Sequence, residues 1–252
     1  MATTMSDASH FEEPAPTLFA PPRVFATQGL IAVFVVVYLC ELIFAVDKNS
    51  NFEPSVRTLA YLGGDIALRV KGAGEYWRMF TAPLMHASLL HILMNSFVLL
   101  LAGTLVERML GWKWLLGLFA ITALGGETAS LVFGPQNIVG VGASGGVMGI
   151  LAALFGVSGR LAAPQASAMR TRAMQFLIPS LVPIFYAAGG NVNYFAHAGG
   201  AVVGLGLGYA LLKLWPQTKA KPPLANFMAF AALSFFAVAV YAIYPIVKLR
   251  GL

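Results

Sequence analysis

The chain has 252 residues, 58% hydrophobic and 10% charged, against about 25% charged in an ordinary soluble domain. That balance excludes a soluble globular protein and describes an all-α polytopic membrane protein. The net charge of +6 does not call for nucleic acid, because the basic residues are scattered and form no stripe.

The first 22 residues hold Asp7, Glu12, Glu13 and four prolines, with no basic region ahead of an apolar core. They read as a disordered cytoplasmic tail (1–27) and not as a cleaved signal peptide. A membrane span needs about 20 apolar residues, and the candidates are roughly 28–46, 88–107, 112–133, 143–159, 173–189, 195–215 and 225–247. Cys40, in the first, is the single cysteine, so redox compartment cannot be read from cysteine usage. Cytoplasmic connections carry the Lys and Arg excess. The short connections after spans 2 to 6 hold 2, 0, 3, 0 and 3 such residues. This alternation puts the N-terminus and the connections after spans 2, 4 and 6 in the cytoplasm. The charges of the long connection 47–80 roughly balance, and it is expected to lie outside and to fold partly on itself. Residues 28–215 then form the core, and 216–252 a linker with an added terminal span.

His86 and His91 lie where span 2 begins, Ser144 where span 4 begins and His197 where span 6 begins. All follow outside connections, so three spans place polar groups in one leaflet. Span 4 is short before Ser158, Gly159 and Arg160. Its first turn is therefore expected below the membrane surface, with Ser144 in a cavity within the bilayer.

His91 and Asn95, four apart, share a helical face, whereas His86 is rotated from His91 by about 140° at the usual ~100° per residue. The spacing lacks the Glu of a His-Glu-x-x-His zinc helix, and neither metal nor cofactor is expected. No span contains an aspartate, against an aspartyl protease with two carboxylates in one site. Gly142-Ala143-Ser144-Gly145-Gly146 satisfies Gly-x-Ser-x-Gly, but that elbow needs a preceding strand. A serine still needs a neighbouring base to attack a carbonyl at neutral pH, and His197 is the histidine available on another span. By itself, Ser144 among glycines is more often a helix contact than a nucleophile.

Taken in order, Trp77-Arg78, His86-x4-His91-x3-Asn95, Gly103-x3-Glu107, Gly142-Ala143-Ser144-Gly145 and Ala196-His197-x2-Gly200-x3-Gly204 resemble the motifs of rhomboid intramembrane serine proteases. The resemblance covers roughly residues 28–215. It implies a six-helix core, with 225–247 as a seventh, C-terminal helix. It further implies Ser144 as nucleophile and His197 as general base, a dyad without a third acid. His91, Asn95 and the Ser144 backbone N–H would meet the oxyanion, with His86 and Gly142 beside them. Trp77, Arg78 and Glu107 would serve the scaffold, Arg78 and Glu107 as a structural pair. Where many members carry an aromatic residue that packs on the catalytic histidine, this chain has Met148, which leaves the orientation of His197 open.

Gly200, Gly204 and Gly208 form a small-x3-small stripe for close helix packing. Glu41 and Glu127 are not explained by the family pattern. The implied activity is hydrolysis of transmembrane protein substrates near the outer end of their spans, with membrane lipid as the other partner and no nucleic acid. The expected location is a bacterial inner membrane, with the site opening away from the cytoplasm. Pro179, Pro183 and the connection 189–194 are candidate gating elements. The competing readings are an inactive rhomboid-like protein that binds membrane clients, and a channel or transporter.

Overall fold

The computed structural model describes residues 24–47, 52–182, 192–215 and 221–249. The expected tail up to residue 23, Pro183 and the first half of the connection 189–194 lie outside the described residues, as does part of the linker before the last span. Among the described residues the chain is all-α. Five helices are long and apolar enough to cross a membrane: α1 (Phe25–Ile43), α5 (Leu89–Leu110), α6 (Trp112–Phe133), α9 (Tyr194–Leu214) and α10 (Ala225–Leu249). The protein is thus an integral, multi-pass membrane protein. The long connection folds into α2 (Val56–Leu62), α3 (Ala67–Ala73) and α4 (Arg78–Thr81), followed by a 3-10 turn over Ala82–Leu84.

Of the two remaining expected spans, the fourth is short, as the sequence reading has it, and the fifth is displaced. Span 4 is α7 (Ser144–Val157), 14 residues long, or about 21 Å at 1.5 Å per residue, short of the ~30 Å hydrocarbon core. The fifth was expected over 173–189. Helix α8 (Ala163–Leu181) instead starts ten residues earlier, with Pro164 in its first turn and Arg170 and Arg172 within it. Apolar content misplaced this boundary because the first half of the helix is polar. Pro in the first turn, where the missing N–H costs nothing, was the start signal. Arg170 Nε donates to Ser158 Oγ at 2.8 Å and fastens α8 to the end of α7.

Helix α7 is the centre of the molecule, with every residue buried except Ser144 and Phe155, which are half-buried. The small-residue stripe of α9 lies directly against it. A Cβ added to Gly200 or Gly204 would overlap the carbonyl oxygen of Gly145 or Gly149, and one on Gly208 would lie 2.5 Å from that of Ala153. Helix α6 closes the third side. A Cβ on Gly126 would stand 2.7 Å from the Ala196 carbonyl oxygen and 3.3 Å from Gly145 Cα. Backbones this close bring the start of α7 and the start of α9 together without intervening side chains.

Arg78 and Glu107 are both structural, but they do not form the expected pair. Arg78 Nε bonds Glu75 at 2.5 Å, while Nη1 donates to the Ala60 and Gly64 carbonyls at 2.8 and 2.9 Å. Its guanidinium also lies 4.5 Å from the Trp77 ring centroid, so Trp77 and Arg78 brace the long connection as one unit. Glu107 instead caps α1: it accepts from the Ala26 N–H at 2.9 Å, the Thr27 N–H at 2.8 Å and the Thr27 hydroxyl at 2.7 Å. The two N–H groups are donors that the first turn of a helix leaves unsatisfied. Glu107→Ala strands all three in a buried site and is expected to destabilise the protein by roughly 2–4 kcal/mol, read as a lowered melting temperature of the purified protein.

The terminal helix α10 seats on α6. Met228 packs on Gly117, where an added Cβ would come within 2.6 Å of the Met228 Cβ. Phe235 meets Phe80 and Phe119 at ring distances of 5.6 and 6.0 Å. Its entry is fixed by Trp114 Nε1 donating to the Pro223 carbonyl at 2.9 Å and by Lys113 Nζ donating to Asn226 Oδ1 at 2.8 Å.

Candidate active site

Ser144 is the first residue of α7, and no strand precedes it, so the Gly-x-Ser-x-Gly match has no strand-borne elbow beneath it. The approach to Ser144 is pinned at three places by four backbone hydrogen bonds. Leu68 N–H donates to the Gln136 carbonyl at 3.2 Å, Asp65 and Gly140 exchange backbone hydrogen bonds of 2.8 and 2.7 Å, and Gly142 N–H donates to the Ala82 carbonyl at 3.0 Å. Gly142 has φ +130°, and a Cβ there would stand 2.6 Å from His91 Cε1 and 2.7 Å from Nε2. Only glycine combines that backbone with so close a ring. It sets the His91 edge against the backbone two residues before Ser144.

His91 is placed by the start of α5, where Ser88 caps the helix by accepting from the His91 N–H at 3.2 Å. One turn on, Asn95 is buried, and its Nδ2 has no hydrogen-bond partner. A buried amide donor without a partner is uncommon and suits a group whose acceptor arrives with a substrate. His86 precedes α5, so the helical rotation expected between His86 and His91 does not apply, and their rings meet edge to face at 5.2 Å. His86 is fully buried beside Phe34, and both of its ring nitrogens are unpartnered. Burial pushes its imidazole down to about 3, with the His91 ring as a smaller cause. His86 is therefore neutral. Glu41, unexplained in the sequence, accepts from the His86 backbone N–H at 3.1 and 3.3 Å and anchors the entry to α5 from α1.

His197 lies in the first turn of α9, buried, and its Nδ1 is 2.8 Å from the Ser180 carbonyl oxygen. Ser180 is in the last turn of α8, where carbonyls lack intrahelical partners. The imidazole thus donates from Nδ1, which leaves Nε2 with its lone pair free, the tautomer a base requires. Sequence reasoning missed Ser180 because the acceptor is backbone. It also missed Asn193, which caps α9 by accepting from the Ala196 N–H at 3.0 Å and donates to Ser130 Oγ of α6 at 2.7 Å. An Asn directly before the apolar run was the available signal. Met148 is buried in the core of α7. The ring facing His197 is that of Tyr194, at 6.5 Å, so the orientation of the histidine rests on Ser180 and Tyr194.

A polytopic helical protein with a serine at a buried helix start, a histidine of fixed tautomer on the adjoining helix and an unpartnered amide nearby defines a class. Comparison with known proteins specifies it. A family model described as the Rhomboid domain matches residues 73–214, more than half of the chain. RHOMBOID-like protein 4 of Arabidopsis thaliana is 34% identical over 166 residues, 66% of this chain and 41% of the relative. RHOMBOID-like protein 6, mitochondrial, of the same plant is 29% identical over 174 residues, 68% of this chain and 55% of the relative. Rhomboid protease GluP of Bacillus subtilis (strain 168) is 31% identical over 132 residues, 52% of this chain and 25% of the relative. The chain belongs to the rhomboid family. It spans about half the length of the first two of these relatives.

Proposed function

We propose that the protein is an intramembrane serine endopeptidase, hydrolysing a peptide bond in or near the outer end of transmembrane segments of membrane-protein substrates. Ser144 Oγ attacks the scissile carbonyl and passes its proton to His197 Nε2. His197 then gives that proton to the leaving amine. Water, deprotonated by the same nitrogen, opens the acyl-enzyme and regenerates Ser144. The orientation of His197 carries this reading: the Ser180 carbonyl holds the tautomer that can accept the serine proton. The names of protease relatives such as GluP support it.

The tetrahedral oxyanion would be met by the Ser144 N–H, unpaired at the start of α7, by Asn95 Nδ2 and by His91. The helix N-terminus adds favourable potential for negative charge. Asn95→Ala is expected to lower kcat by roughly 10²-fold or more with little change in KM, the loss that follows removal of one oxyanion donor. His86, neutral and buried, backs His91.

The Lys and Arg alternation supports a cytoplasmic N-terminus, which in a bacterial inner membrane opens the site to the extracytoplasmic side. A helical substrate must unwind locally before its carbonyl is exposed, because its backbone groups are otherwise paired internally. Residues 28–215 are the catalytic core in this reading, and α10 is an addition that braces α6. The test is covalent labelling of the purified protein by a fluorophosphonate, lost in Ser144→Ala and in His197→Ala. Folded wild-type protein that takes no label overturns the reading in favour of client binding without catalysis.

A further inference from the structure

No residue of α6 takes part in the chemistry above, yet one face of that helix touches the backbone beside both Ser144 and His197. A Cβ on Gly126 would stand 2.7 Å from the carbonyl oxygen of Ala196, the residue before His197, and 3.3 Å from Cα of Gly145, the residue after Ser144. Ser130 lies four residues further along α6, on the same helical face. It is buried, and its hydroxyl oxygen accepts from Asn193 Nδ2 at 2.7 Å. Asn193 in turn holds the first turn of α9 by two bonds. Its Oδ1 accepts from the Ala196 N–H at 3.0 Å, and its backbone carbonyl accepts from the His197 N–H at 3.1 Å. The same amide lies beside the connection into α7, since a Cβ on Gly140 would come 3.7 Å from Asn193 Nδ2. One side chain therefore joins α6, the approach to Ser144 and the turn that carries His197.

We propose that the Ser130–Asn193 hydrogen bond is the tether that sets the register of His197 against Ser144, with α6 as the shared reference for nucleophile and base. Ser130 and Asn193 are positioning residues, since each acts on the imidazole through the first turn of α9. A helix cap satisfies orphan N–H groups wherever the helix lies, so the bond from Asn193 to Ala196 does not by itself fix α9 in place. The glycine contacts set how closely α9 approaches α6 and α7. A hydrogen bond is directional as well as short, and this one ties the cap to a single point on α6. At the imidazole itself, the Ser180 carbonyl of α8 holds Nδ1. Two anchors on different helices, α6 through the backbone turn and α8 through the ring, then define where Nε2 points.

The tether rests on the Ser144–His197 reading for its effect on catalysis, but its effect on the first turn of α9 can be measured without that reading. Ser130→Ala removes the acceptor and leaves the cap in place. It is expected to lower both kcat for a single-span substrate in proteoliposomes and the rate of fluorophosphonate labelling by about 10- to 10²-fold, with KM unchanged, as misplacement of a catalytic group does. Asn193→Ser keeps a capping oxygen but is one atom too short to reach Ser130. Combined with Ser130→Ala, it should cost no more than the larger of the two single losses, because both changes break the same bond. The companion measurement is amide hydrogen exchange in Ser144→Ala protein. There Ser130→Ala is expected to speed exchange at Ala196 and His197 severalfold and to leave the amides of α5 as they are. Unchanged kcat and labelling in Ser130→Ala overturn the tether, as do losses that multiply in the double variant. So does a lowered melting temperature with a normal rate per folded molecule, which would make the bond purely structural. Wild-type protein without label refutes the protease reading alone. The exchange comparison then decides the tether, and unchanged exchange at Ala196 and His197 refutes it.

Discussion

Ser144→Ala and His197→Ala are each expected to lower kcat for cleavage of a single-span substrate in proteoliposomes by about 10⁴ to 10⁶-fold, and the double variant by no more than either alone. A neutral serine hydroxyl is a weak nucleophile, and a base without a nucleophile has nothing to deprotonate, so the two groups act as one unit. Residual turnover would come from the oxyanion donors and from substrate positioning, which neither substitution removes. Ser144 is half-buried at the first position of α7, and α9 packs on α7 through glycine backbone. Ser144→Ala should leave the melting temperature within a small margin of wild type, since a substitution outside the packed core typically changes stability by less than about 0.5 kcal/mol. Additive losses in the double variant would mean that the two residues do not cooperate in one step.

The residues that could be named in advance are those whose chemistry is unusual for a membrane span. Ser144, His91, Asn95 and His197 stood out because polar groups in hydrocarbon are costly, and the structure gathers them around the starts of α5, α7 and α9. The spacing of Gly200, Gly204 and Gly208 was equally legible, because one helical face of small residues has few other uses. What stayed hidden depends on partners far along the chain or on backbone. Glu41 meets a backbone N–H 45 residues away, and Glu107 meets α1 across 80 residues. Neither partner carries a sequence signature. The acceptor for His197 is a carbonyl that exists because α8 ends at Leu181, and that boundary was misread because its polar first half carries no span signal. His86 was assigned a helical angle it does not have, since Ser88 starts the helix after it.

Gly200→Ala and Gly204→Ala are expected to separate α7 from α9 and to abolish most activity, whereas Gly206→Ala, on the same helix, should not. The added Cβ at position 200 or 204 would overlap a carbonyl oxygen of α7, and in each case that oxygen belongs to rigid helix backbone that no rotamer change can clear. The helices must move apart, and overpacking of this kind costs roughly 1–3 kcal/mol. The catalytic consequence should exceed the stability loss. The carbonyl facing Gly200 is that of Gly145, next to Ser144, and Gly200 is three residues from His197. A displacement of about 1 Å between nucleophile and base is enough to lose on the order of 10²-fold in rate. At Gly206 nothing lies within 4 Å of an added Cβ. Alanine there brings only its higher helix propensity, about 1 kcal/mol in favour of the fold. Melting temperatures and labelling rates of the three variants, measured side by side, separate close packing from a general intolerance of α9 to substitution. Equal behaviour at 200, 204 and 206 would show that the glycine stripe does not set the distance between Ser144 and His197.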